Sequence, residues 1–309
     1  MLEILLNLMG KVALLVALGY VLTRRGLLTE RFQKDLTAFM MQVALPANVL
    51  TTASNPFSAA LSKNLLITVA VALVYYIAAL ALTALVGRAL PLERRERAMF
   101  TLMAVFANTA FLGFPLISEL LGQEGLLYAV VFNMVWLVFF FTIGISMVSM
   151  QRQIRIKSIL SMPVTIASLA AVVLYVSPFR FPVFIQDTLS TLGSMVVPIS
   201  MLLIGCSLVP IRPVEILKDP WSYAVNVLRL AVFPLAVLGI LCLIPGVPHL
   251  VALVCAVMCC LPSASLSVVF AQQYDCAPAF ASRAVVQGMV LMIVTIPLFI
   301  TLAVTALPL

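Results

Sequence analysis

Two short stretches place hydrogen-bonding side chains beside helix-breaking residues inside otherwise apolar runs. One is Asn108-Thr109-Ala110-Phe111-Leu112-Gly113-Phe114-Pro115; the other is Cys260-Leu261-Pro262-Ser263-Ala264-Ser265-Leu266-Ser267. Proline removes a backbone donor and clashes with the preceding turn, while glycine permits unusual dihedrals. A helix carrying Gly113 and Pro115, or Pro262, is expected to break there. Each break points a half-helix N-terminus inward, with free N–H groups and partial positive charge. Two such ends facing each other make an anion cradle without a fixed cation. Asn108, Thr109, Ser263 and Ser265 would add side-chain hydrogen bonds. The competing reading is a pair of simple proline kinks, as Pro46, Pro198 and Pro297 are also expected to be.

Other groups with chemical potential are few. Arg229, with Asn226 three residues before it, sits in an apolar run, where a charge is costly and raises a functional hypothesis. It is expected to pair with an anion, brace the structure or snorkel to an edge. Lys11 is a similar case, closer to structural. All six cysteines lie in the second half, nearly all in apolar runs, so a disulfide framework is not expected. Cys255 and Cys259 share a helix face and, with 15 methionines, would suit a soft metal. Small packing residues are the competing reading. One histidine and no acidic cluster beside the cysteines leave a zinc site unsupported. No metal or other cofactor is expected.

The elements that must hold these residues follow from composition. Of 309 residues, 64% are hydrophobic and 9% charged, far below the quarter or so that a soluble surface carries. Lipid is the solvent that suits such a chain. Charged or Pro/Gly-rich interruptions divide it into ten apolar spans, near 3–23, 35–54, 65–87, 98–120, 126–148, 158–176, 187–209, 222–244, 249–272 and 282–305. Each is close to the length that crosses a bilayer, and lipid requires such spans to be helical. The first is expected to be a retained helix rather than a signal peptide, because no small-residue cleavage site follows it.

Thirteen basic residues fall in the odd-numbered connections: Arg24, Arg25, Arg31 and Lys34, then Arg88, Arg94, Arg95 and Arg97, then Arg152, Arg155 and Lys157, and Arg212 with Lys218. The even-numbered connections hold only Lys63 and Arg180. The odd connections should therefore be cytoplasmic and both termini outside. The net charge of +7 reads as a topology signal and calls for no nucleic-acid partner.

A shift of 152 residues lays the first five spans over the last five. It superposes Pro46 on Pro198 and Ala104-Val105 on Ala256-Val257. Five is odd, so the second half must enter the membrane upside down. Inverted repeats of this kind place a site at mid-membrane between them. Asn48 and Ser200 are also related by the shift and are expected to line the same cavity from spans two and seven; Asn133 and Gln287 are nearly so related, and each is expected to face the cavity or to tie helices together.

At these motifs the sequence resembles the auxin efflux carrier family, which includes plant PIN-type carriers and bacterial permeases, some assigned to malate or malonate. The resemblance covers the whole chain. Asn108-x-x-Phe111-Leu112-Gly113-x-Pro115 is similar to that family's span-four motif. Pro262-x-Ala264 with Phe270-Ala271 and Tyr274 is similar to the span-nine motif, and Thr295-Ile296-Pro297 to a span-ten signature. The sequence departs from the pattern in span ten, with Gln287-Gly288-Met289 and Met292 where serine and threonine are usual. It also lacks a long hydrophilic central loop, having only the link around 149–157.

The resemblance implies an all-α membrane protein of ten transmembrane helices in two inverted five-helix repeats, residues 1–150 and 151–309. Helices 4 and 9 would be broken and crossing. Helices 1, 2, 6 and 7 would form a scaffold, and helices 3–5 and 8–10 a transport domain moving as an elevator. It also implies that Asn108 contacts a substrate carboxylate.

The function expected is secondary transport of a small organic anion, a malate- or malonate-like carboxylate or an auxin-like acid, across the cell membrane. Sodium or a proton is the possible coupling ion, and a homodimer the expected assembly. Without a nucleotide-binding loop, ATP drive within this chain is excluded. A receptor built on a carrier fold is one alternative. An intramembrane lipid-modifying enzyme is another; it is disfavoured because all eleven acidic residues fall at span ends or in connections.

Overall fold

The computed structural model describes residues 2–54, 59–150, 161–177, 179, 181–207, 209 and 219–307. The basic residues Arg152, Arg155, Lys157, Arg180, Arg212 and Lys218 lie outside them. Regular structure among the described residues is helical. The first helix, α1 (Leu2–Arg24), is followed by the amphipathic α2 (Glu30–Phe39), which starts where the Thr29 hydroxyl accepts from the Phe32 amide. A wide turn at Met40–Ala44 carries the chain into α3 (Leu45–Thr51). Next come α4 (Ala59–Ala89), α5 (Arg94–Val105) and, after a break, α6 (Phe114–Phe139) and α7 (Ile145–Val148).

The second half holds α8 (Pro163–Val176), α9 (Val183–Ser194), α10 (Val196–Ser207), α11 (Pro220–Val227) and α12 (Phe233–Leu243). It ends with α13 (His249–Cys259), α14 (Leu266–Gln273) and α15 (Pro278–Ala306).

Among the described residues, five stretches are long and apolar enough to cross a membrane: Leu61–Ala89, Thr109–Val148, Val183–Cys206, Pro220–Leu243 and Pro278–Ala306. Ala13–Arg24, Pro163–Tyr175 and His249–Cys259 are shorter apolar helices. The 40-residue stretch is not one straight rod. Gly122 has φ 67° and ψ −161°, a conformation that glycine adopts readily, and it separates 114–121 from the helix that follows.

Wide, five-residue turns precede three prolines. Met40–Ala44 leads to Pro46, Thr109–Gly113 to Pro115 and Leu228–Val232 to Pro234. The ring of a proline clashes with the carbonyl four residues before it and leaves that carbonyl without its donor. In each case that carbonyl lies inside the wide turn, where the altered pairing accommodates it.

α1 lies along α10, and glycine makes the approach possible. A Cβ on Gly205 would stand 2.0 Å from the Val16 carbonyl oxygen, and one on Gly19 would stand 2.1 Å from that of Leu202. α3 packs against α8 and α9. Elsewhere α4 packs on α5 and α6, α13 on α6, and α11 on α15. Their core is aromatic: Tyr76 stacks on Phe106 and Trp136 on Phe140, with ring centroids 5.8 and 4.5 Å apart. The turn before α15 is tied to the start of α5, since Arg95 donates to the Asp275 backbone carbonyl at 2.8 Å and Cys276 donates to the Arg95 carbonyl. Burial pushes the Cys276 thiol above its ordinary range. Leu66, Val74, Leu85, Leu243 and Leu298 stand exposed on the outer surface, as lipid contact requires.

Candidate site at two paired helix breaks

α5 stops at Val105 and α13 at Cys259, each in the middle of an apolar run. The two non-helical segments that follow lie side by side, antiparallel. The Asn108 amide donates to the Pro262 carbonyl at 2.8 Å, the Ala264 amide donates to the Phe106 carbonyl at 2.9 Å, and Ala107 faces Ser263. Backbone groups freed by one break are thus satisfied by the other, which is what makes non-helical backbone tolerable in an apolar interior. The Ser263 hydroxyl adds a bond to the Met103 carbonyl at 2.8 Å.

Arg229 holds the helix C-termini that lead into both breaks. It is fully buried, and every acceptor found for it is uncharged. Nε donates to the Leu261 carbonyl at 2.8 Å, Nη2 to that of Cys259 at 2.9 Å and Nη1 to that of Val105 at 2.9 Å. Nη1 also reaches the Tyr75 hydroxyl. The Val105 and Cys259 carbonyls lie at the ends of α5 and α13, where each helix carries roughly half a negative charge. Two helix ends together offset one guanidinium. The residue braces the breaks from behind and does not line the cavity in front of them.

That cavity encloses about 710 Å³ between the breaks and the α2 and α10 helices. One wall is polar and neutral, formed by Asn108, Thr109, Asn133 and Ser265. Phe111, Trp136, Leu137, Leu203, Ile204, Val269 and Met289 make the rest largely apolar. Among the described residues, its only charged lining residues are Glu30 and Lys34, near the exposed start of α2.

On the polar wall, Asn108 Nδ2 donates to the Ser265 hydroxyl at 3.3 Å, and the Thr109 hydroxyl donates to Asn133 Oδ1 at 2.6 Å. Among the described residues, no acceptor is found for Asn133 Nδ2. The opening turns of the half-helices at Thr109 and Leu266 border the same space. Among their opening amides, that of Thr109 donates to the Ala107 carbonyl and those of Ser267 and Val268 donate to the Ala264 and Ser265 carbonyls, while the half-helix N-termini carry partial positive charge.

The other residues singled out by sequence lie elsewhere. Gly113 is packed against Met258 and Leu261, where a Cβ would come within 2.9 Å of the Met258 sulfur. Pro115 is buried in the first turn of α6, and Pro262 contributes its backbone carbonyl. Ser200 is buried and bonded to the Val197 carbonyl. Asn48 donates to the Gly193 carbonyl at 3.2 Å and borders a second cavity of about 480 Å³, with Lys11, Glu119 and Gln123. Gln287 ties α15 to α11 by accepting from Asn226 Nδ2 at 2.9 Å; Gly288 beside it lets Asn226 approach.

Sequence reasoning did not find Trp136, Thr165 or Met289 as cavity residues, nor Tyr75 as a partner of Arg229. An aromatic or a methionine in a lipid-soluble chain carries no signal that separates a cavity wall from packing.

The family described as Membrane transport protein matches the chain over residues 4–155 and again over 146–300. Among curated proteins, an uncharacterized transporter of Methanocaldococcus jannaschii is 27% identical over 278 residues, covering 85% of this chain and 87% of that protein. An uncharacterized transporter of Methanothermobacter thermautotrophicus is 27% identical over 296 residues, covering 93% and 95%.

Proposed function

We propose that this chain, which belongs to the auxin efflux carrier family of membrane transport proteins, is a secondary transporter for small organic anions. It is a multi-pass membrane transporter and not an enzyme. The cavity in front of the paired breaks carries the finer reading. Its donors are amides, hydroxyls and helix N-termini, which hold a carboxylate without the desolvation cost of a buried lysine or arginine. Because the polar wall is one side of a largely apolar space, the best fit is a monocarboxylate with an apolar body. A dicarboxylate would have to desolvate its second charge against Trp136 or Leu203.

The architecture we infer has ten membrane-spanning helices in two inverted repeats, 1–150 and 151–309. The turn at Gly122 supports counting Thr109–Val148 as parts of two passes. α1, α2, α3, α8, α9 and α10 form the scaffold, and the helices around the breaks form an elevator that carries Asn108, Thr109, Asn133 and Ser265 past it. The basic connections face the cytoplasm of a cell-membrane protein with both termini outside, so the cavity, bordered by Lys34, opens inward. The Leu261, Cys259 and Val105 carbonyls are occupied by Arg229. A coupling sodium ion would therefore need a different set of ligands, and a proton is the other candidate. A homodimer is the assembly we propose.

Counterflow of a radiolabelled carboxylate in proteoliposomes tests the function. Exchange competed by small carboxylates and not by matched amines is the expected outcome; competition by amines alone overturns the anion reading.

A further inference from the structure

Away from the paired breaks, α4, the start of α5 and the segment around α7 enclose a pocket of about 670 Å³. Arg88, Arg94 and Arg97 line it together with the hydroxyl residues Thr101, Thr142 and Ser146, and among the described residues no carboxylate lines it. None of the three arginines makes an ion pair among the described residues. Glu93 and Glu96, the nearest acidic residues in sequence, are engaged in the reciprocal cap that starts α5.

Arg97 is partly fixed in place. Its Nη2 donates to the Leu92 carbonyl at 3.0 Å, and its stem crosses Gly87, where a Cβ would stand 3.2 Å from its Cγ. Its Nε is buried without an acceptor. A buried guanidinium N–H with no partner is costly, and a ligand oxygen would relieve that cost.

The geometry points to a binding site for the headgroup of an anionic glycerophospholipid. Arginine forks match phosphate oxygens in pairs, and basic pockets between membrane helices suit such headgroups. What selects a lipid over a soluble phosphate is the surface that continues from the pocket. Ile143 in its wall is 42% exposed; Leu85, one turn from Arg88, is 65% exposed, and Val138, one turn from Thr142, is 54% exposed. Acyl chains held below the headgroup would cover this apolar strip. The site is separate from the transport cavity and shares no lining residue with it.

Native mass spectrometry of the full-length protein in detergent, titrated with phosphatidylglycerol or phosphatidylcholine, tests the site. Wild type should retain phosphatidylglycerol in preference to phosphatidylcholine. The triple variant Arg88→Gln/Arg94→Gln/Arg97→Gln should bind phosphatidylglycerol about a hundredfold more weakly, as expected from three cationic contacts. Arg24→Gln/Arg25→Gln/Arg31→Gln removes the same charge elsewhere and should bind as wild type does. If the triple pocket variant fails to fold, Ile143→Trp decides: it crowds the apolar wall at constant charge and should weaken retention at least several-fold. Equal binding by the pocket and control variants, or no effect of Ile143→Trp, overturns the proposal. Displacement of the lipid by millimolar inorganic phosphate or glycerol phosphate also overturns it, in favour of a soluble ligand.

Discussion

Arg229 donates from Nε to the Leu261 carbonyl at 2.8 Å, so a residue of one apolar helix holds the broken end of another. The same guanidinium reaches Val105 and Cys259, and no other type of side chain has the donors to serve three diverging carbonyls from one plane. Arg229→Met should leave these carbonyls unpaired, at about 1–3 kcal/mol each, and remove the charge that offsets two helix ends. Folded protein should fall sharply on fluorescence-detected size exclusion. Arg229→Lys should recover only part of it, because an ammonium is a point donor and not a fork. A wild-type elution profile and melting temperature for Arg229→Met would show that the brace is dispensable.

Asn108→Ala should weaken uptake about tenfold to a hundredfold while leaving the melting temperature near wild type, since a hydrogen bond to a charged group is worth roughly 1.5–3 kcal/mol. A structural account would make Asn108 a helix cap. In the structure its side chain makes no capping bond and donates instead to Ser265. Asn108→Asp should transport less than Asn108→Ala, because it sets a negative charge against an anion. Normal uptake by Asn108→Asp would remove the residue from the binding surface.

How far the site was readable from sequence depends on what each residue's signal reports. Asn108 to Pro115 and Cys260 to Ser267 marked both interruptions, because helix-breaking chemistry is local. The detail differs: the chain leaves α5 at Phe106, well before Pro115, whereas Pro262 lies within its break. What joins the two breaks, the pairing of Asn108 with Pro262 and of Ala264 with Phe106, has no local signature, since any backbone can supply it. Asn48 and Ser200 share a register under the 152-residue shift, yet they sit in different surroundings. Arg229 was legible as an anomaly, but its acceptors are carbonyls, which a sequence cannot distinguish from one another.

Trp136 should set the size limit of the substrate. It borders the cavity and is held by stacking on Phe140, 4.5 Å between centroids. Trp136→Ala opens the apolar side while leaving the polar wall intact. Competition assays should then shift toward bulkier monocarboxylates, with short dicarboxylates remaining poor competitors in both forms. An unchanged ranking across a series of arylalkyl acids would place the substrate elsewhere.

The far end of the molecule bears on the proposed motion. Lys11 of α1 pairs with Glu119 at 2.5 Å, and the Thr51 hydroxyl of α3 donates to Gln123 Oε1 at 2.8 Å, across the second cavity. If α1 and α3 stay fixed while Asn108 and its neighbours move, both contacts must break in every cycle. The ion pair suits that task because its side chains are 53% and 31% exposed, and a pair in such surroundings contributes about 0–1 kcal/mol. Lys11→Ala or Glu119→Gln should therefore leave thermal stability almost unchanged and favour opening of this cavity. Val197 lines it and is buried in the state described. In a Val197→Cys background, either substitution should speed labelling at position 197 by an impermeant maleimide added outside, by up to about fivefold. The charge swap Lys11→Glu/Glu119→Lys should restore slow labelling. Equal rates in all forms would mean that the pair does not restrain the motion, and a large fall in melting temperature would mark it as part of the fold.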